Sequence, residues 1–149
     1  MSRTGELCDY LPPECVPLID KWIGDYGVEC LIVSTRKTKR GDCRHNRRTG
    51  QVIITLNADN NKYRFLLTLI HELAHARVFR ESGFAGKPHG TPWKNVLRQM
   101  VFEVKALGVF PYDVEVAIER HFRDPLYTDS ADYILSNILK QYGSATDSL

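Results

Sequence analysis

Residues 61–81 read NKYRFLLTLIHELAHARVFRE, and this stretch decides the fold. Its apolar side chains recur every three or four positions, as they do on the face of a helix that packs against a core. The asparagine- and aspartate-rich run at 57–61 can cap a first helical turn with side-chain oxygens. We therefore predict a helix from about Asn61 to Glu81 that is buried on one side.

The same helix carries the pattern His-Glu-x-x-His at residues 71–75. His71 and His75 lie one helical turn apart, with about 5–6 Å between Cβ atoms, so both imidazoles can reach one metal ion. Zn²⁺ suits such nitrogen ligands, and a catalytic zinc keeps three protein ligands and one open position. Glu72, beside the first ligand, is the expected general base. Two histidines can share this spacing by chance, but a buried His-Glu-His set would be costly without a metal.

The third ligand is left open by the pattern itself. The longer pattern that places glycine and histidine three and six residues after the second histidine fails, because Val78 and Glu81 stand there. His89 is the main candidate, since its glycine-rich loop can fold back from the helix end. Glu81 and Glu103 are the alternatives for a site with a glutamate ligand, although both fit a solvated helix face better.

Weaker patterns predict elements before this helix. Apolar spacing after several prolines indicates a first helix from about Pro13 to Tyr26, ending at Gly27. Two stretches rich in β-branched residues, 28–34 and 51–56, indicate strands. The polar stretch 35–50 between them predicts a long hairpin.

Three more helices are predicted after it. Thr91-Pro92 begins a helix whose apolar stripe runs from Trp93 to Val104 and which ends near Gly108. The segment 113–122 fits a strand or a helix, and we favour the helix. A last helix runs from Thr128 to Tyr142 and ends at Gly143.

Length and composition indicate one soluble globular domain, because 149 residues suit a single core and the balance of apolar and charged residues is ordinary. No apolar run reaches the roughly 20 residues that span a bilayer, and the first residues lack the apolar stretch of a secretory signal, so we expect a cytoplasmic protein. The four cysteines form no Cys-x-x-Cys pair, which speaks against a zinc ribbon or a thioredoxin-like site. They could pair in an exported protein, but without a secretory signal we expect reduced thiols. The remaining histidines, His45 and His121, are expected to be surface or partly buried side chains.

Two motifs together resemble the SprT-like family of zinc metalloproteases, which includes Spartan-related proteases of DNA–protein crosslinks. They are the run His71-Glu72-Leu73-Ala74-His75-Ala76 and the run His89-Gly90-Thr91-Pro92-Trp93-Lys94. The basic stretch from Ser34-x-Arg36 through Gly41-x-Cys43 and the first helix fit the same family, so that the resemblance covers roughly 18–103. No cysteine follows Phe110, so the chain departs from the many members that carry a zinc ribbon after the core.

The resemblance implies an α+β, zincin-like fold in which a small antiparallel sheet packs with the His-Glu-x-x-His active-site helix and further helices. It implies His71, His75 and His89 as zinc ligands and Glu72 as the catalytic residue. Residues 1–110 would form the metalloprotease core and 111–149 a helical extension of the same domain. The expected activity is zinc-dependent hydrolysis of peptide bonds in DNA-associated or DNA-crosslinked proteins.

The chain's positive excess concentrates between residues 36 and 48, where only Asp42 opposes seven cations. These cations are Arg36, Lys37, Lys39, Arg40, Arg44, Arg47 and Arg48. On a hairpin tip they could contact DNA phosphates without regard to sequence. They could instead protect a strand edge from pairing, and the resemblance favours DNA. Two other functions stay open: a non-catalytic DNA-associated zinc module, and a glutamate-ligand aminopeptidase with no nucleic-acid role.

Overall fold

The computed structural model describes residues 7–83, 90–123 and 133–143 of the 149. Helices and a small sheet alternate in an α+β arrangement, as predicted. After a 3₁₀ turn at Pro13–Cys15, the elements are α1 (Val16–Tyr26), β1 (Val28–Val33), β2 (Gly41–His45), β3 (Val52–Asn57), α2 (Lys62–Ser82), α3 (Thr91–Lys105), α4 (Tyr112–Arg123) and α5 (Tyr133–Lys140).

The helices begin and end close to their predicted positions. Gly27 ends α1 in the left-handed region, with φ at 59°, and the Oδ1 atom of Asn61 caps α2 by accepting from the backbone N–H of Arg64 at 3.1 Å. The ambiguous segment 113–122 is helical. The predicted start of the last helix at Thr128 lies outside the described residues, within which α5 begins at Tyr133.

The helix α2 is buried on more sides than its sequence predicts. We expected one buried face, but every residue from Phe65 to Ile70 is buried, as are four of the next six. The reason is its central position: β2 and β3 contact it, and so do α1 and α3. The His-Glu-x-x-His pattern therefore lies where α2 is packed on several sides, with Glu72 buried and both histidines half-buried.

The sheet is mixed, so the predicted hairpin of β1 and β3 and the predicted antiparallel sheet are wrong. The order is β1-β3-β2, with β1 parallel to β3 from Val28↔Val52 to Val33↔Asn57. β2, which the sequence did not reveal, pairs antiparallel with the other side of β3. The connection 34–40 crosses the end of β3 to reach β2, and this crossing leaves the central position for β3.

Asn57, at the end of β3, fastens this crossing. Its Nδ2 donates to the carbonyl oxygens of Lys39 at 2.7 Å and Arg36 at 3.2 Å, and its Oδ1 accepts from Arg36 Nε at 2.8 Å. Its backbone N–H donates to the carbonyl of Arg40 at 2.9 Å. Because Asn57 is only 5% exposed, these bonds form largely away from water and hold the crossing in one conformation.

The C-terminal helices are tied to the start of α2. Asn61, which is fully buried, donates from Nδ2 to the carbonyl of Leu139 at 2.5 Å. The Tyr142 hydroxyl donates to Asp113 Oδ1 at 2.6 Å, and this hydrogen bond raises the pKa of Tyr142 to about 12. These bonds join α4 and α5 to the helix that carries the metal-binding pattern.

All four cysteines are free thiols. Cys30 and Cys43 flank Ile54 in the register of the sheet, one strand away on each side. Two strand spacings amount to about 10 Å, which exceeds the Cα separation that a disulfide spans. Within the described ranges, no helix is long and apolar enough to cross a membrane.

Candidate metal centre

The structure brings His71, Glu72 and His75 together. One possible ligand atom from each lies within 4.8 Å of the others, and the imidazole centroids are 5.2 Å apart. Zinc requires nitrogen ligands at roughly 2.0–2.1 Å from the ion. From this spacing, small rotations of the two rings would place one nitrogen of each at that distance from a shared ion. Glu72 is buried and both histidines are half-buried, so the group could hold a metal ion that remains reachable from solvent.

Trp93 closes one side of this group. Its ring stacks on His75 with centroids 5.1 Å apart and planes 16° apart, and it meets His71 edge-on at 4.8 Å. Its Nε1 donates to the backbone carbonyl of His71 at 3.3 Å. The sequence placed Trp93 in a family-like run and in the apolar stripe of its helix, but it did not reveal this contact with the histidines.

The strand β2 lies along α2 on another side. A Cβ on Gly41 would come within 3.0 Å of Thr68 Cγ2, so glycine is needed for this close approach. Further along the strand, burial and then the negative charge of nearby Glu72 raise the pKa of the Cys43 thiol to about 12. At the end of β2, the ring of His45 packs edge-on against that of Phe79 on α2, with centroids 4.4 Å apart.

The outer edge of β2 presents backbone groups beside the metal-binding pattern. Just before β2 the Arg40 carbonyl accepts from the backbone N–H of Asn57, and just after it the backbone N–H of Asn46 donates to the Gln51 carbonyl. The alternation of an antiparallel ladder then directs the backbone groups of the even-numbered residues between them toward β3. In an antiparallel ladder the alternate residues, such as Gly41 and Cys43, direct their N–H and C=O groups away from the partner strand. Across the described ranges no strand pairs with this edge.

Of the candidates for a third ligand, neither Glu81 nor Glu103 belongs to the described group. His89 lies outside the described residues. Glu81 is ion-paired with Arg77 at 3.3 Å. Glu103 is exposed and follows Trp93 by ten residues, or about 15 Å along the helix axis. Among the described residues, only His71, Glu72 and His75 form a group able to hold a metal.

The two remaining histidines differ in burial. His45 is partly buried, as expected, and burial followed by the charges of Arg47 and Arg80 lowers its pKa. His121 is only 1% exposed, so the prediction of a surface or partly buried side chain is wrong for it. It lies on the inner side of α4, where its ring meets that of Phe122 edge-on at 4.8 Å.

Three of the seven cations predicted for a hairpin tip surround one carboxylate. Arg36, Lys39 and Arg44 place a nitrogen 3.6, 2.5 and 3.7 Å from an oxygen of Asp42. Burial alone would raise the pKa of Asp42, but hydrogen bonds from Lys39 and Thr55 and the charges of Lys39 and Arg44 hold it below its usual value. These three cations therefore stabilise the β2 region as well as adding to its charge.

The other four cations lie at the two ends of β2. Lys37 and Arg40 are exposed in the crossing before the strand, and Arg47 and Arg48 are exposed in the turn after it. Arg40 and Arg47 are seven positions apart along this extended stretch, which separates the two pairs by roughly 20 Å. The basic residues thus flank the edge strand instead of gathering at one tip.

Comparison with known families gives one match. A model described as the SprT-like family matches residues 25–116, more than half of the chain. This segment runs from the end of α1 into α4 and includes the sheet, the metal-binding pattern and Trp93. No curated protein and no solved structure matches the chain significantly.

Proposed function

The chain belongs to the SprT-like family, and from this premise we propose that it is a zinc-dependent metallopeptidase. The observation that carries the proposal is the group formed by His71, Glu72 and His75, whose ligand atoms lie within 4.8 Å of one another. Its setting supports the proposal, because the edge of β2 that no described strand pairs with runs beside it. A metal-binding pattern next to such an edge suits the hydrolysis of an extended polypeptide.

His71 and His75 would hold the zinc through imidazole nitrogens. We take His89 as the third ligand because of its place in the sequence, four residues before Trp93. When bound, zinc would supply Lewis acidity that polarises the scissile carbonyl and makes a water molecule nucleophilic near neutral pH. Three histidine ligands leave the fourth position open, as catalytic rather than structural zinc sites do.

Glu72 moves the proton in this proposal. Its carboxylate takes a proton from the attacking water and passes it to the amide nitrogen of the leaving chain as the C–N bond breaks. Because it directly follows His71 in the pattern, Glu72 would lie beside the metal without coordinating it. Its burial also limits competing contact with bulk water.

The edge of β2 would orient the substrate. A peptide that pairs with the backbone groups of Gly41 and Cys43 forms main-chain hydrogen bonds that do not depend on its side chains. Since Cys43 lies close to Glu72, such a peptide passes the carboxylate in an extended conformation. We therefore expect the enzyme to cleave unfolded or extended segments and to tolerate many sequences.

The test compares zinc content and cleavage of an unfolded protein substrate in three proteins. Glu72→Gln should retain zinc and lose cleavage, because the amide cannot accept the proton. Glu81→Gln is the matched control, since it makes the same change on the exposed side of the same helix and should keep both properties. If Glu72→Gln cleaves at the parent rate, the mechanism is refuted. Full zinc loading of the parent without any cleavage would favour a non-catalytic zinc module.

We further propose that the substrates are proteins held on DNA. The support is the placement of Lys37 and Arg40 before β2 and of Arg47 and Arg48 after it, all exposed and flanking the proposed substrate edge. Such side chains bind phosphates by releasing counterions, without reading sequence. The competing explanation is that these charges keep the edge of β2 from pairing with the strands of other protein molecules.

Reversal of charge separates these two explanations. Lys37→Glu with Arg40→Glu should lower the slope of log affinity for duplex DNA against log salt by about 0.9 for each phosphate that the protein no longer neutralises. The variant keeps charges beside the edge, so its solubility should match that of the parent. Lys21→Glu with Arg98→Glu changes the net charge equally outside residues 36–48 and should keep the parent slope. An unchanged slope in the first variant would show that the crossing does not bind DNA and would favour a peptidase with no nucleic-acid role.

A further inference from the structure

We infer that Trp93 is a positioning residue that fixes the orientation of both histidines for metal binding. This inference rests on the proposed zinc site and goes beyond it, because Trp93 is not a ligand and no part of the metal-binding pattern includes it. It comes from a different helix, α3, and reaches α2 through ring contacts and a hydrogen bond from its indole N–H.

The stacking on His75 is the first supporting observation. The two planes are 16° apart with centroids at 5.1 Å, so one face of the imidazole is covered by the indole. Rotation of the His75 ring about its own axis would break this parallel contact. Because stacked rings prefer such offset arrangements, the indole favours one ring plane over the others that the side chain could adopt.

The contacts with His71 are the second observation. The indole meets this imidazole edge-on at 4.8 Å, and its Nε1 donates to the His71 carbonyl at 3.3 Å. The hydrogen bond locates the indole relative to the backbone turn that carries both histidines. One rigid side chain thus contacts two ring systems and the main chain between them.

The burial of Trp93 shows that this position is fixed. It lies in the first turn of α3 but is only 2% exposed, and its neighbour Lys94 closes that turn by donating its backbone N–H to the Gly90 carbonyl at 3.0 Å. A leucine could fill part of the same space, but it offers neither a flat face nor an N–H group. The flat face and the N–H group of the indole are therefore the properties by which Trp93 would orient the histidines.

The experiment measures metal binding rather than cleavage. The full chain is titrated with Co²⁺ alone, followed by its visible absorption bands, and with Zn²⁺ against a chromophoric chelator. Loss of a group that orients metal ligands typically weakens binding by about 10–100-fold, which is the effect expected for Trp93→Leu, together with altered Co²⁺ bands. Trp93→Phe keeps a ring for stacking and should recover most of the affinity.

Trp22→Phe provides the matched control and a second readout. Trp22 is the chain's other tryptophan, is 4% exposed and lies in α1, so its replacement should leave the Co²⁺ spectrum unchanged. In that variant Trp93 is the sole tryptophan, and bound Co²⁺ should quench its fluorescence with the same midpoint as the absorption change. This readout needs no Trp93 substitution and stays informative if Trp93→Leu does not fold.

The inference is overturned if folded Trp93→Leu binds Co²⁺ with the parent affinity and spectrum, or if Co²⁺ binds the Trp22→Phe variant without quenching Trp93. These results differ from a failure of the proposed function. A parent protein that binds no metal refutes the zinc site itself. A parent that binds metal but cleaves nothing refutes the catalytic proposal and leaves the role of Trp93 standing.

Discussion

Replacing Asn57 with alanine should destabilise the protein and loosen the crossing between β1 and β2. The substitution removes three side-chain hydrogen bonds, two to the carbonyls of Lys39 and Arg36 and one from Arg36 Nε. At about 0.5–1.5 kcal/mol each, the loss in unfolding free energy is about 2–4 kcal/mol. For a chain of this size that corresponds to a fall in Tm of roughly 4–16 °C.

Urea unfolding followed by circular dichroism measures this loss directly, and a thermal scan checks it. Asn46→Ala is the matched control, because the side chain of Asn46 also bonds to the backbone, but in an exposed turn. It accepts from the backbone N–H groups of Arg48 and Thr49. This substitution should cost about 1 kcal/mol or less. If Asn57→Ala loses no more than this control, the crossing is held by something other than Asn57. A loss of DNA affinity in Asn57→Ala, in which every cation remains, would link the crossing's conformation to binding.

Three further changes test other parts of the structure. The lowered pKa of Asp42 contributes stability above about pH 4, so Asp42→Asn should cost about 1 kcal/mol in urea unfolding at pH 7. The difference should disappear as the pH falls through the folded-state pKa, and a constant difference would contradict the assignment. Asn61→Ala should cost about 1–3 kcal/mol by losing both the helix cap and the bond to Leu139. Asn61→Asp keeps the cap acceptor but turns a carboxylate oxygen toward the Leu139 carbonyl at a fully buried position, so it should cost at least as much, and a smaller loss would contradict the assignment. Glu81→Ala and Glu103→Ala should keep the parent zinc affinity in chelator competition, and a tenfold loss in either would restore the glutamate-ligand alternative.

The sequence predicts α2 and the metal-binding pair because both depend on local spacing. A period near 3.6 and an i, i+4 pair of histidines need no knowledge of the rest of the chain. The depth to which α2 is buried is different, since it depends on which elements pack around it. Phe65 to Ile70 form an almost continuous apolar run, and this run was the available signal that more than one face is covered.

The sheet could not be predicted in the same way. The residues of β2, Gly41–His45, include no β-branched side chain, so propensity gives no sign of a strand. The pairing of β1 with β3 is non-local, and the crossing that accompanies it is held by Asn57, whose buried amide resembled a helix-capping residue in the sequence. Trp93 was missed for a related reason, because a tryptophan in an apolar stripe indicates a core position but not which side chains it will touch.

The mixed sheet changes what the basic residues can do. In the predicted hairpin, the cations would have stood together on its tip. In the observed order, β2 contacts α2, the charge of Glu72 acts on Cys43, and cations lie at both ends of the strand. Arg40 and Arg47 are three and four residues from Cys43, so their backbones lie within about 14 Å of it. Phosphates bound there would hold DNA close to the edge at which a polypeptide could pair. The crossing that the sequence concealed is therefore what makes cleavage of a DNA-held protein geometrically consistent with a single site.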